Sequence, residues 1–346
     1  MKYLIIALSF FALTFLGCHK EDGDTLTPPV DDRISFEINY LQYAEDNYFI
    51  DQVYADTSAE FNMFNHFYGN PNPIVNPHYF VKRIEVYISV NQISQEYRSI
   101  PAIAYLNLPS RSVQSMYSDS VRNNNIVTHG EVELGRFRVL LYGEEYSYNC
   151  NTGTLTFNIP LNDNDIVAVA YQTENDQFSN DDDLIYGEFI TELVNNSKIK
   201  GVLKLIKPQN LLPQNVSTWK LKMKNIYQIP PFHRKVSDLD LDIYLKKPDG
   251  SETNTIDNVR LLELFGFDKE EETGLPGHDG RFDRKPGITF NPEMAQIIFP
   301  VLEPFGNNIP SQLKNYKYQA LYDSVKTYLS SPGTSFVIRG KYKAIY

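Results

Sequence analysis

Only two cysteines, Cys18 and Cys150, occur in 346 residues, so a disulfide-stapled scaffold is excluded. Basic charge is also short. Thirty-two Lys and Arg stand against 43 Asp and Glu, for a net charge of −11. Such a chain repels phosphate, which argues against general nucleic-acid binding. No Gly-x-Gly-x-x-Gly follows a strand pattern, and no Gly-Lys-Ser/Thr loop or Gly-x-Ser-x-Gly elbow occurs. Dinucleotide, P-loop and serine-hydrolase sites therefore have no signal. His19, His66, His78, His129, His233 and His278 are isolated, with no pair at the helical spacing of a zinc protease. No two carboxylates can be paired from sequence as a glycosidase acid and base. What abounds is aromatic and turn-forming: 24 Tyr, 21 Phe, 20 Pro and 18 Gly. That aromatic content excludes a disordered chain, and the length suffices for one large domain or two ordinary ones.

The first seventeen residues stand apart. Lys2 supplies a positive start, and Leu4 to Leu16 is apolar except for Ser9 and Thr14. This is the pattern of a secretory signal, and it is shorter than a membrane span. Phe15-Leu16-Gly17-Cys18 resembles a lipoprotein cleavage box, which implies that Cys18 is lipidated. Phe15 departs from the aliphatic residue usual there, and a plain secretory signal is the alternative. His19-Lys20-Glu21-Asp22-Gly23-Asp24 resembles the surface-export signal of Bacteroidota lipoproteins; a solvated tether is the other reading. Residues 18–32 form an acidic, Pro-containing tether. Removing residues 1–17 leaves 329 residues at −12. Cys150 is then the one internal cysteine, expected as a small packed residue.

Along the mature chain, Ile38, Leu41, Tyr48 and Val53 have loosely helical spacing, with Asp31 or Asp32 as cap. Ile84, Val86, Ile88 and Val90 alternate as a half-buried strand. Ser112 to Val121 has helical spacing, and Arg136 to Leu141 reads as a strand. Two polar turns, Asn149 to Gly153 and Asn162 to Asp165, divide the stretch from Gly143 to Tyr171 into hairpin strands. The acidic stretch Thr173 to Asp183 is the candidate boundary, giving modules 33–178 and 179–346. Its clustered acids lack a defined ligand spacing and read as a solvated loop.

In the second half, Val202 to Ile206, Leu239 to Leu245, Ile297 to Leu302 and Phe336 to Tyr342 read as strands. Ile256 to Phe265 and Tyr316 to Leu329 read as helices, with Gly266 ending the first. The pattern predicts an α+β fold of mostly antiparallel sheets with a few short helices, in two β-rich subdomains. Trp219, Leu221 and Met223 alternate with Lys220, Lys222 and Lys224. The lysine stripe is either a guarded edge or a contact for an acidic partner, and Trp219 reads as core. Asp268, Asp279 and Asp283 are candidate ligands for a structural calcium ion, though the strict EF-hand spacing is missing. An Asx-turn loop is the competing reading.

Several segments resemble, in order, the SprA (Sov) family, the outer-membrane translocon of type 9 secretion and gliding motility in Bacteroidota. They are Arg83-Ile84-Glu85-Val86, Asp165 to Tyr171, Gly187-Glu188-Phe189, Trp219 to Tyr227, Asp279-Gly280-Arg281-Phe282-Asp283 and Pro286 to Pro292. Ile297 to Gly306 is the longest, followed by Tyr322-Asp323-Ser324 and Ile338 to Tyr342. The resemblance spans about Arg33 to Tyr342. The family protein is several times longer and carries a large transmembrane barrel for which this chain has no room.

The resemblance therefore implies a soluble, non-enzymatic module, lipid-anchored in the outer membrane and expected at the cell surface, with the periplasmic face as the other location. Its implied partners are proteins of the secretion or gliding apparatus. The alternatives are a surface glycan-binding lipoprotein, a surface enzyme, and a truncated or split copy of the larger gene.

Overall fold

The computed structural model describes residues 31–58, 62–90, 99–175, 182–194, 200–231, 235–330 and 332–345. The signal segment 1–17, Cys18 and the tether up to residue 30 lie outside these residues, as do 176–181 of the acidic stretch. The strands of the first part are β1 (Ile34–Asn39), β2 (Asn47–Phe49), β3 (Val81–Ser89), β4 (Ser99–Tyr105), β5 (Arg111–Ser112), β6 (Val132–Val139), β7 (Tyr146–Asn149), β8 (Thr154–Phe157), β9 (Val167–Thr173), β10 (Leu184–Tyr186) and β11 (Gly201–Lys207). Then follow β12 (Ile226–Gln228), β13 (Lys235–Lys246), β14 (Glu252–Thr253), β15 (Thr255–Ile256), β16 (Val259–Arg260), β17 (Phe290–Asn291), β18 (Gln296–Ile298) and β19 (Ser335–Ile345). Among the described residues, seven short α-helices punctuate them: α1 (Gln52–Ala55), α2 (Met63–Tyr68), α3 (Asp119–Arg122), α4 (Ile190–Val194), α5 (Val216–Trp219), α6 (Leu261–Leu264) and α7 (Ala320–Asp323).

The fold is mostly β with short helices, as the composition predicts. Strands β11-β4-β6-β3-β9 form a sheet that closes on itself through β9–β11, giving a small five-stranded barrel. All its pairings are antiparallel except β4–β11, which is parallel. Ala102, Ala104, Ala168 and Ala170 are fully buried. They lie on β4 and β9, the two strands that flank β11, where small side chains let a narrow barrel close. Ile103 and Val202 face the other way and pack on Leu108 and Tyr117 as a satellite core. The connection from β4 to β11 is clamped by two ion pairs, of which Arg122–Glu188 is buried on both sides and Arg111–Glu192 on the arginine side. Arg122 meets Glu188 through two bonds at 2.8 and 2.5 Å, and Arg111 meets both Glu192 oxygens at 2.7 Å.

The second sheet runs β1-β19-β13-β14, all antiparallel. In β13 the alternation of Leu239, Leu241, Ile243 and Leu245 sends one face into the core, as expected. A Cβ on Gly340 would lie 2.2 Å from the Asp240 carbonyl oxygen and 2.7 Å from the Phe36 ring, so β19 needs glycine there. Above this sheet Tyr40, Phe265, Phe299, Phe305 and Phe336 pack edge-to-face and tilted, with centroids 5.0–6.0 Å apart.

Several local expectations are corrected. Residues 34–53 are not a helix. Phe36, Ile38 and Tyr40 are buried at period two, and β1 pairs with β19. Of Ser112–Val121, only the end enters α3. The Asn149–Gly153 turn does join the hairpin β7–β8, but β8 pairs onward with β2 while β9 enters the barrel. Residues 256–265 hold a tiny hairpin, β15–β16, before α6, and Gly266 ends α6 at φ +79. Of the 297–302 run only Ile297 and Ile298 are strand, as the end of β18. Residues 316–329 hold only the short α7, between the 3-10 stretches Ser311–Tyr316 and Lys326–Tyr328. There the Tyr322 carbonyl accepts from Trp219 and Lys224 instead of from the next helical turn.

Residues 33–346 form one compact unit. The 178/179 boundary falls inside a sheet, since β9 before it pairs with β10 and β11 after it. Two cores do exist. One gathers residues between Ala44 and Ile226 with Ile298, the other Phe36–Tyr43 and residues from Tyr227 to Tyr342. Among the described residues, no helix is long and apolar enough to cross a membrane.

The buried Arg122–Glu188 pair generates a stability prediction. Glu188 is 2% exposed, and Glu188→Gln leaves a buried guanidinium without its counter-charge. The expected loss is about 3–5 kcal/mol. It is read as a lower urea midpoint at constant m-value.

Candidate functional site

Residues 43–49 and 221–227 run antiparallel as a seam between the two cores. Tyr43 bridges Tyr227 and Tyr48 bridges Lys222. The backbone bonds are Ala44 N–H to Ile226 O at 2.7 Å, Phe49 N–H to Leu221 O at 2.8 Å and Met223 N–H to Asn47 O at 2.9 Å. Beside this seam opens a groove of about 1010 Å³. Its walls come from α1 and the residues after it, from α5 through Lys224, and from Leu302, Asn307 and Tyr322.

Each wall has an identifiable hold. Asp51 caps α1 by accepting from Gln52 N–H at 2.6 Å. Its other oxygen accepts from Lys204 Nζ at 2.8 Å and Tyr171 OH at 2.6 Å. Both partners are buried on barrel strands, so α1 is pinned to the barrel. On the opposite wall the Tyr322 carbonyl accepts from Trp219 Nε1 at 2.6 Å and Lys224 Nζ at 2.7 Å.

The lysine stripe expected at 220–224 is not a stripe. Lys220 is exposed on the groove wall. Lys222 pairs with Glu45 at 2.7 Å, and Lys326 shares that carboxylate at 3.2 Å. Lys224 is buried, its Nζ 3.6 Å from the Trp219 ring centroid. Leu221 and Met223 keep the alternation and are buried. Trp219 is groove wall rather than deep core, because α5 replaces the expected strand at its position.

Lys224 is the unusual group. Burial, reinforced by the neighbouring Lys222 ammonium, pushes its amine down to about 7. The nearby acids Glu303, Asp323 and Glu45 pull the other way and do not offset it. Among the described residues, its one hydrogen-bond acceptor is the Tyr322 carbonyl. Lys207 shows the contrast. Its ammonium sits among the carbonyls of Asn162, Asp163 and Asp165 at 3.0, 3.0 and 2.6 Å. Burial lowers it only to about 8. The groove thus offers an indole, a near-neutral amine, an exposed ammonium, the acids Glu303 and Asp323, and the amides of Asn307 and Asn308. That mixture suits recognition of a polar chain with charges of both signs.

The three candidate calcium ligands do not aim at one point. Asp268 accepts from the backbone N–H groups of Asp279 and Gly280, both at 3.0 Å. Asp279 accepts from Arg281 N–H at 2.9 Å, and Asp283 from Lys269 N–H at 2.7 Å. Burial raises the Asp283 carboxyl above its ordinary value. These bonds build the loop, as the Asx-turn reading has it. The ligand atoms that converge belong instead to Glu263, Asp268 and His278. Cys150 is half-buried against the first core, in keeping with a packing role.

Sequence reasoning missed Asp51 and Tyr322. Asp51 carries a signal in retrospect, an acid immediately before a short helix. Tyr322 contributes a carbonyl, which no side-chain pattern reveals.

Lys224 generates a pH prediction. Below pH 7 it is protonated both folded and unfolded, and the fold bears the full cost of burying the ammonium. Between about 7 and the ordinary value of 10.5 the unfolded chain binds the extra proton, so stability rises with pH. Lys207 contributes with the same sign from about 8 upward. Lys224→Met should raise stability at pH 7 and reduce the slope from pH 7 to 9.5 by up to about 1.4 kcal/mol per pH unit. Urea unfolding across that range checks it, and an unchanged slope contradicts it.

No protein-family model matches the chain, and no curated protein matches it significantly.

Proposed function

We propose that this protein is a non-enzymatic, lipid-anchored outer-membrane lipoprotein of SprA-type build. Its groove receives a polypeptide segment of a partner in type 9 secretion, gliding or the cell surface. The observation that carries the reading is the groove itself, about 1010 Å³ beside the seam of the two cores. Two of the segments that resemble SprA, Trp219 to Tyr227 and Ile297 to Gly306, support it. They lie against each other, with Phe299 N–H donating to Asn225 O at 2.9 Å and Asn225 Nδ2 to Phe299 O at 2.8 Å. Both run on into groove-lining residues, Trp219 to Lys224 and Leu302 to Glu303. Cys18 is the lipid attachment point in this reading. Acyl chains there contribute about 0.8 kcal/mol per buried CH₂. The acidic balance of the chain leaves nucleic acid out.

A second reading is a surface glycan binder. It is favoured by Trp219 on the groove wall beside Asn307, Asn308 and Asp323, a common composition for sugar recognition. Against it, the Lys224 amine already occupies one face of the indole at 3.6 Å.

Pull-down from native outer membranes with the full lipidated chain tests the first reading. A secretion or gliding component should be enriched over other surface lipoproteins. Lys220→Glu reverses one exposed charge of the groove, and it should lower that enrichment several-fold. If no such component is enriched, the assembly role fails; glycan-array binding abolished by the same substitution would favour the second reading.

A further inference from the structure

We propose that Glu263, Asp268 and His278 bind a borderline divalent cation of the zinc class. Their ligand atoms all lie within 4.8 Å of one another. They come from three places: α6, the segment after Phe267, and the 277–280 loop. Asp268 is the fixed point. It is 1% exposed, and backbone N–H groups at 3.0 Å orient both its oxygens. Each oxygen retains a second lone pair for a metal.

His278 is oriented as a ligand. Its Nδ1–H donates to the Asp268 carbonyl oxygen at 2.5 Å. That bond fixes the tautomer and leaves the Nε2 lone pair available, the usual support for a metal-bound imidazole. Nε2 is 3.8 Å from Glu263 Oε1. Among the described residues, neither Nε2 nor the Glu263 carboxylate takes a protein hydrogen bond. A tetrahedral site with ligand bonds of about 2.1 Å needs ligand atoms about 3.4 Å apart. The imidazole–Glu263 gap therefore closes by a few tenths of an ångström. Glu263 is half-exposed and free to make the adjustment.

The donor set selects the metal. Calcium takes six to eight oxygens. One imidazole nitrogen with two carboxylates suits zinc or a neighbouring first-row ion. Asp279 and Asp283 are not among the ligand atoms that converge here. Three protein ligands leave a fourth position for water or for a side chain of a bound partner.

The test is calorimetry on the full-length chain in detergent, stripped with chelator and titrated separately with zinc, manganese and calcium chlorides. The expected result is one equivalent of zinc bound, a raised melting temperature, and no heat with calcium. Glu263→Gln and His278→Ala should each weaken zinc at least about tenfold. Glu263→Gln breaks no hydrogen bond among the described residues, so it separates ligand loss from unfolding. Absence of zinc binding, zinc binding retained in either variant, or calcium bound in place of zinc would overturn the proposal.

Discussion

The Asp51 carboxylate, buried between a lysine and a tyrosine, is the contact on which the arrangement of the first core depends. Strand β11 is buried along its whole length because it closes the barrel against β4 on one side and β9 on the other. A lysine in such a strand would be severely destabilising without a counter-charge. Lys204 obtains one from Asp51 at 2.8 Å, and Tyr171 on β9 donates to the same oxygen at 2.6 Å. Tyr171 in turn stacks on Tyr186 at 4.7 Å. The pair that makes barrel closure tolerable therefore also holds the start of α1, and with it one wall of the groove.

The second constraint is the seam. Residues 221–227 hydrogen-bond to 44–49 on one side and, through Asn225, to Phe299 on the other. The segment belongs to both cores, with Leu221, Met223 and Ile226 in the first and Tyr227 in the second. Lys224 sits just before the transfer at Ile226–Tyr227, where the strand-like alternation ends. Its side chain turns to the Tyr322 carbonyl and the indole of Trp219. A change of core within seven residues explains both the buried amine and the groove beside it.

The β-rich class, the strands at β3, β6, β11, β13 and β19, and the β7–β8 hairpin were legible from period-two alternation and turn residues. Of the helices, α6 and its stop at Gly266 were legible, while those expected over 34–53 and 316–329 were not. Ile38, Leu41, Tyr48 and Val53 mimic helical spacing, but Ile34–Asn39 answers to a partner strand some 300 residues away. No local pattern carries that pairing. The 316–329 helix failed because Trp219 and Lys224, a hundred residues upstream, claim the Tyr322 carbonyl. At the candidate site, Lys220 to Lys224 were picked out for the wrong geometry. They line a groove instead of striping an edge, since Lys224 is drawn inward by a carbonyl. Asp268 and its loop were also picked out, but the glutamate that converges on it sits in α6, outside any recognisable ligand spacing.

Function in this account follows from position. The barrel anchors one wall through Asp51, the second core supplies the other through Tyr322, and the seam sets the distance between them. The most direct measurement is native-state hydrogen exchange on Asp51→Asn. Amides of Phe49, Tyr54 and Met223 should lose protection together, ahead of those in β13 and β19. Protection of those three amides unchanged, or lost only with the whole molecule, would contradict the claim that this buried carboxylate holds the groove.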